Sequence, residues 1–191
     1  MMQRAISTAT ASRQGRDSSL ARLARDERGV TVIEFAFVAG PLFALIMAIL
    51  QVSLTFFAQQ TLETATLKAS RQLMTGTDQS AGMTKAGFMT AVCNQLPGFM
   101  KCANVRIDVQ STTNFSSANT SAPTITYNAQ TGAENNNWAY APGGSNQITT
   151  VKVMYIWATS TGPLGFDLST MSGGNRLLIA TSVFKTEPSG S

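Results

Sequence analysis

The sequence predicts an α+β fold: a long N-terminal transmembrane helix followed by a small, mostly antiparallel α+β extracytoplasmic domain. Three observations predict it. No charged residue stands between Glu34 and Glu63, a gap of 28 positions. Helix-period apolar residues then continue toward Gly76, and beyond them one short helical pattern precedes several period-two stretches rich in β-branched and aromatic residues. The connections are too short for repeated parallel crossovers. The chain therefore divides into a leader over 1–29, a membrane helix with an amphipathic stalk over 30–76, and an outer domain over 77–191 with a polar loop at 111–149.

The leader carries six arginines, at 4, 13, 16, 22, 25 and 28, against Asp17, Asp26 and Glu27. The remaining 162 residues hold eight basic and seven acidic side chains, so most of the formal charge of +4 belongs to the leader. Basic residues are not gathered on the folded part, which argues against nucleic acid as a partner. They act as a topology or targeting device. An Arg- and Ser-rich leader also fits organellar import, and that alternative stays open on composition.

Residues 35–50 read FAFVAGPLFALIMAIL. A membrane-spanning helix takes about 20 mostly apolar residues, and nothing else in the chain approaches that. A buried core helix would need a larger, less polar domain to wrap it. Arginines precede the span and none follows until Arg71, which predicts a cytoplasmic N-terminus and everything after the span outside. Pro41, after Gly40, removes a backbone donor and predicts a kink. Leu62, Ala65, Ala69 and Leu73 keep helical spacing, with Lys68 and Arg71 near the C-terminal end where they suit the helix dipole. From Val30 to about Gly76 that helix would be ~68 Å long.

At the entrance to the span stands ERGVTVIEF, residues 27–35. Glu34 is costly at the edge of a membrane helix and is a functional candidate for that reason. Gly29 would let a membrane peptidase approach the backbone closely. Cleavage there would expose the amine of Val30 one helical turn from the Glu34 carboxylate. At about 4 Å such a pair is worth roughly 4 kcal/mol at an effective dielectric near 20, before desolvation is subtracted. Glu34 also has a plainer reading, as a headgroup-level residue favourable to the helix N-terminus.

In the outer domain, Phe88, Met89, Val92, Cys93 and Leu96 line one helical face, ended by Pro97 and Gly98. Strands are predicted at 104–110, 150–158 and 177–184, with a weaker one at TITYN, 124–128. In the first, Val105, Ile107 and Val109 alternate with Arg106, Asp108 and Gln110, the half-buried pattern. Cys93 and Cys102 would staple helix to strand by a disulfide closing a ten-residue loop, worth roughly 2.5–3 kcal/mol. Two thiols without histidine cannot complete a metal site, and the spacing is not Cys-x-x-Cys. A disulfide suits an extracytoplasmic domain. Ser, Thr, Asn and Gly fill 23 of the 40 positions from 111 to 150, which reads as surface loop. Trp138 and Tyr140 interrupt it, either to bind a sugar or partner or to pack the loop on the sheet.

No histidine occurs in the sequence, which removes Ser-His-Asp and Cys-His catalysis and histidine-ligated metals. No nucleophile with a base, carboxylate pair or phosphate-binding glycine loop stands out, so no catalytic residue, cofactor or metal is expected.

The basic leader ending in Gly29, with Glu34 fifth in the chain that follows and Phe35 after it, resembles the prepilin peptidase site of type IV pilins and pseudopilins. Residues 28–76 look most like the TadE-like pseudopilins of the tight-adherence (Tad) pilus system, through Glu34-Phe35, Pro41, Phe56-Phe57 and a small-residue helix continuing to an arginine. A looser likeness returns in VMYIWATSTGPL and VFKTEP. The resemblance implies a non-enzymatic minor pseudopilin of the bacterial inner membrane, cut between Gly29 and Val30. Its partners would be a prepilin peptidase, other Tad pseudopilins, the pilus assembly platform and membrane lipid. An uncleaved single-pass protein whose periplasmic domain binds a ligand or partner is the alternative.

Overall fold

A computed structural model describes residues 29–74, 83–159 and 161–187. The chain divides into two units, Met1–Leu45 and Ile46–Ser191, with the boundary inside the first helix. That helix, α1 (Val30–Met74), is a single 45-residue element that continues through Pro41. The leader and Gly76, where the helix was expected to end, lie outside the described residues.

Within the first unit α1 is exposed on every side. Val32, Ile33, Phe35, Phe37, Val38, Leu42, Phe43 and Leu45 all face outward, which a soluble domain would not tolerate in series. Only 6% of the most apolar 18 residues of α1 is buried, so this is no core helix. It is long and apolar enough to cross a membrane.

In the second unit the same helix behaves differently. Ala58, Leu62, Ala65, Ala69 and Leu73 are buried, at spacings of four, three, four and four that mark one helical stripe. This apolar stripe is part of the core that the sheet and the short second helix complete. Thr66, on the buried side, donates its hydroxyl to the carbonyl of Leu62 at 2.7 Å, and Thr55 does the same to Gln51 at 2.9 Å. These two threonine hydroxyls are thus satisfied by the helix itself.

The stripe packs on a three-stranded antiparallel sheet in the order β1 (Val105–Thr112), β2 (Ile148–Ala158), β3 (Asn175–Lys185). The register pairs Val105 with Tyr155 and Val151 with Ser182. Val105, Ile107, Val109, Val151, Val153, Tyr155, Leu178 and Ala180 join the helix stripe in one core, as the period of two requires for a single sheet face. α2 (Lys85–Cys93) closes that core with Phe88 and Val92. Thr84 caps it, its hydroxyl accepting the Gly87 N–H at 3.1 Å.

β3 tracks α1 along its length. Its first residues line a groove with Val52–Gln59 side chains, Ile179–Thr181 lie beside Glu63–Leu67, and Glu187 N–H reaches the Met74 carbonyl at 3.2 Å. Gln59 donates its amide to the Ile179 carbonyl at 3.0 Å. At the opposite edge of the sheet, residues 139–141 run beside β1, with Val109 N–H to Ala139 carbonyl at 3.0 Å and Ala141 N–H to Val109 carbonyl at 2.8 Å. Such cover removes a pairing edge that would invite other chains.

Two sequence expectations differ from the structure. TITYN is not a strand; Tyr127 only bridges Glu134 in an isolated pair. The half-buried pattern of β1 also fails at one position: on the face away from the helix Gln110 is exposed and Arg106 half-buried, but Asp108 is buried, as is Lys152 on the same face of β2. The reason is the polar stretch between β1 and β2, which folds back over that face and gives the domain a third layer.

Candidate functional site

The candidate processing site is the N-terminal end of α1. Gly29 has 3-10 helical backbone immediately before the α-helix begins at Val30, and it is exposed. A Cβ built at Gly29 would meet nothing within 4 Å, and its backbone is not among those with positive φ. Among the described residues neither packing nor a positive φ calls for glycine at 29. Val30 and Phe35 are exposed, and so is Glu34. As i and i+4 residues of one helix, Val30 and Glu34 share a face. Among the described residues Glu34 makes no ion pair.

Cys93 and Cys102 are bonded to each other, with Cα atoms 5.6 Å apart. The bond ties the last residue of α2 to the short turn Cys102–Asn104 that leads into β1. Residues 97–101 are gathered between these anchors: Met100 is buried, and the Lys101 N–H donates to the Tyr155 hydroxyl at 2.9 Å.

Trp138 and Tyr140 are both half-buried and engaged in packing. The Tyr140 ring lies 6.2 Å from Phe88, and its hydroxyl donates to the Met83 carbonyl at 2.9 Å. The Trp138 indole donates to Glu134, whose second oxygen takes the Arg106 guanidinium at 2.6 Å. The Lys85 ammonium donates to the Trp138 carbonyl at 2.7 Å. These two aromatics fasten the loop to α2 and β1. Glu134, the hub of that arrangement, drew no notice in the sequence because a lone carboxylate in a polar loop carries no periodic signal. Among the described residues no group of His, Cys, Asp or Glu gathers as a metal site would require.

The family model of TadE-like proteins matches residues 29–71. The match opens on Gly29 and closes three residues before α1 ends. This segment is TadE-like, as the sequence resemblance holds. No curated protein and no solved structure matches the chain.

Proposed function

We propose that the protein is a minor pseudopilin of a Tad-type pilus system, matured by a prepilin peptidase that cuts between Gly29 and Val30. The observation that carries this reading is a coincidence of three boundaries at one residue. The TadE-like segment begins at Gly29, α1 begins at Val30, and the arginine-rich leader ends there. A glycine that neither packing nor backbone conformation demands is what such a peptidase needs at the scissile bond.

In this reading the leader stays in the cytoplasm, the exposed apolar part of α1 crosses the inner membrane, and the outer domain stands in the periplasm with its disulfide. The role is structural, in assembly of an adhesive pilus alongside other pseudopilins and the assembly platform. A ligand-binding domain on an uncleaved anchor is supported less well, since Trp138 and Tyr140 spend their polar atoms on Glu134 and Met83. N-terminal sequencing of the membrane-bound protein from its own host tests the proposal. A mature chain beginning at Val30 is the expected result; any other start removes the processing step.

A further inference from the structure

The turn between β2 and β3 holds out the most exposed large apolar side chain among the described residues. Leu164 is 88% exposed, at φ 59° and ψ 24°, a left-handed conformation that leucine seldom adopts. The chain holds it there: Pro163 precedes it, Gly165 follows at φ 78°, and the Gly162 N–H closes the turn on the Phe166 carbonyl at 2.6 Å. A solitary exposed leucine is ordinary on a soluble surface. Its position on this molecule is not.

The turn lies beside α1 at the level where the helix is still lipid-like. A Cβ on Gly162 would come within 2.9 Å of the Gln51 side-chain oxygen, and Leu168 shares a groove of about 180 Å³ with Val52, Thr55 and Phe56. Around that level α1 points Ile49, Leu50, Leu54, Phe56 and Phe57 outward. Phe57 lies six residues beyond Gln51, about 9 Å along the helix axis. There it meets exposed Phe99 at 6.0 Å, and Phe99 meets Trp157 edge-on at 6.2 Å. No charge occurs from Val153 through Phe166. Asp167, the first charge after the tip, accepts the Ser169 N–H and hydroxyl, both at 2.8 Å. Those bonds hold its carboxyl below the ordinary value, so it stays ionised and sets a limit to depth.

We infer that this end of the domain is a membrane-interface anchor, in which the 161–166 turn places Leu164 in the headgroup and acyl boundary of the bilayer while Phe57, Phe99 and Trp157 form an aromatic belt above it. The occupant is lipid because α1 carries no charge between Glu34 and Glu63, so this level of the helix continues the uncharged sequence of the candidate span, and aromatic rings concentrate at such boundaries. The inference rests on α1 crossing a bilayer, as proposed above.

Single-tryptophan versions of the full chain, reconstituted in phosphatidylcholine vesicles brominated near the headgroup or at mid-chain, test both statements separately. In a Trp138→Phe, Trp157→Phe background, the Leu164→Trp reporter should be quenched by the shallow bromines several-fold more than native Trp138 alone. The Phe43→Trp reporter should be quenched by the mid-chain bromines. Quenching at 43 but not at 164 overturns the anchor and leaves the turn to a protein partner; quenching at neither overturns the span as well. Should Leu164→Trp fail to fold, the Trp138→Phe protein reads the same interface through native Trp157, and an unquenched Trp157 overturns the belt.

Discussion

Asp108 stands opposite Lys152 in the β1–β2 register, both are buried, and neither charge is spent on the other. The Asp108 carboxylate accepts the Ala139 N–H at 3.1 Å and the Gln110 amide at 2.9 Å, while the Lys152 ammonium donates to the Ser121 carbonyl at 2.9 Å. Each charge thus clamps a different end of the stretch that joins β1 to β2. The polar loop is a structural layer held by two buried charges, and its many Ser, Thr and Asn side chains close its own turns, as Asn128 does with the N–H groups of Gln130 and Thr131.

The first prediction follows from those clamps. Asp108→Ala leaves the Ala139 N–H and the Gln110 amide without their acceptor and should cost about 1–3 kcal/mol in denaturant unfolding. Amide hydrogen exchange should rise at Ala139 before it rises in β2. An Asp108→Ala protein as stable as the parent, with Ala139 still protected, would remove the clamp.

The disulfide gives a second. Cys93→Ser with Cys102→Ser should lower stability by roughly 2–3 kcal/mol, the loop-closure value for a short ring. Reductant should shift the unfolding midpoint of the parent and leave that of the double variant unchanged. Equal midpoints for parent and double variant under oxidising conditions would contradict it.

Periodic features were legible in the sequence, and features that depend on long-range docking were not. Leu62, Ala65, Ala69 and Leu73 announced a helical stripe, and the alternation of Val105, Ile107 and Val109 announced a strand, because helix and strand periods put one kind of residue on one face. The stripe could not say what it packs against. Asp108 read as outward-facing because its partner Ala139 lies 31 positions away in a loop without a pattern. At the candidate site, Gly29, Val30, Glu34 and Phe35 were all visible from composition and position. The structure adds that, among the described residues, nothing packs against Gly29. Leu164 closes the VMYIWATSTGPL stretch, but its exposure was not legible there, since exposure in a turn leaves no mark on sequence.

The helix stripe supplies a third prediction, by contrast within one element. Leu62→Ala empties a fully buried site and should cost about 2–5 kcal/mol. Leu67→Ala, five residues on and 56% exposed, should change stability by less than about 0.5 kcal/mol. Ser70 is buried with no hydrogen-bond partner for its hydroxyl among the described residues, so Ser70→Ala should be neutral or stabilising, by up to roughly 1 kcal/mol. Thermal unfolding of the three variants in one detergent checks the order.

Gly143 carries a fourth. It sits at φ 76°, and a Cβ there would collide with the Gln147 side chain and come within 2.6 Å of the Ser111 Cβ. Gly143→Ala should therefore destabilise by about 1–3 kcal/mol, whereas Gly144→Ala, with open space at its Cβ, should stay within about 0.5 kcal/mol. Comparable losses at both positions would show that backbone freedom across the pair matters rather than the contact.

In the proposed function, Glu34 is the residue on which processing and assembly separate. It is exposed on α1, one turn after Val30, and five positions from the proposed scissile glycine. A peptidase that reads Gly29 needs the missing side chain at the cut, whereas a carboxylate one turn further on becomes useful only after cleavage has freed the Val30 amine. In a low-dielectric bundle that amine would neutralise it, within one subunit or between neighbours, for roughly 4 kcal/mol before desolvation at an effective dielectric near 20. Gly29→Val should therefore leave the precursor uncut. Glu34→Ala should yield a mature chain of normal length while piliation falls, and Glu34→Asp should restore part of it by keeping the charge. Immunoblots of precursor and mature forms, read beside filament counts by electron microscopy, separate the two steps. Normal piliation in Glu34→Ala would mean that the carboxylate serves only the headgroup region, where the helix N-terminus alone favours it.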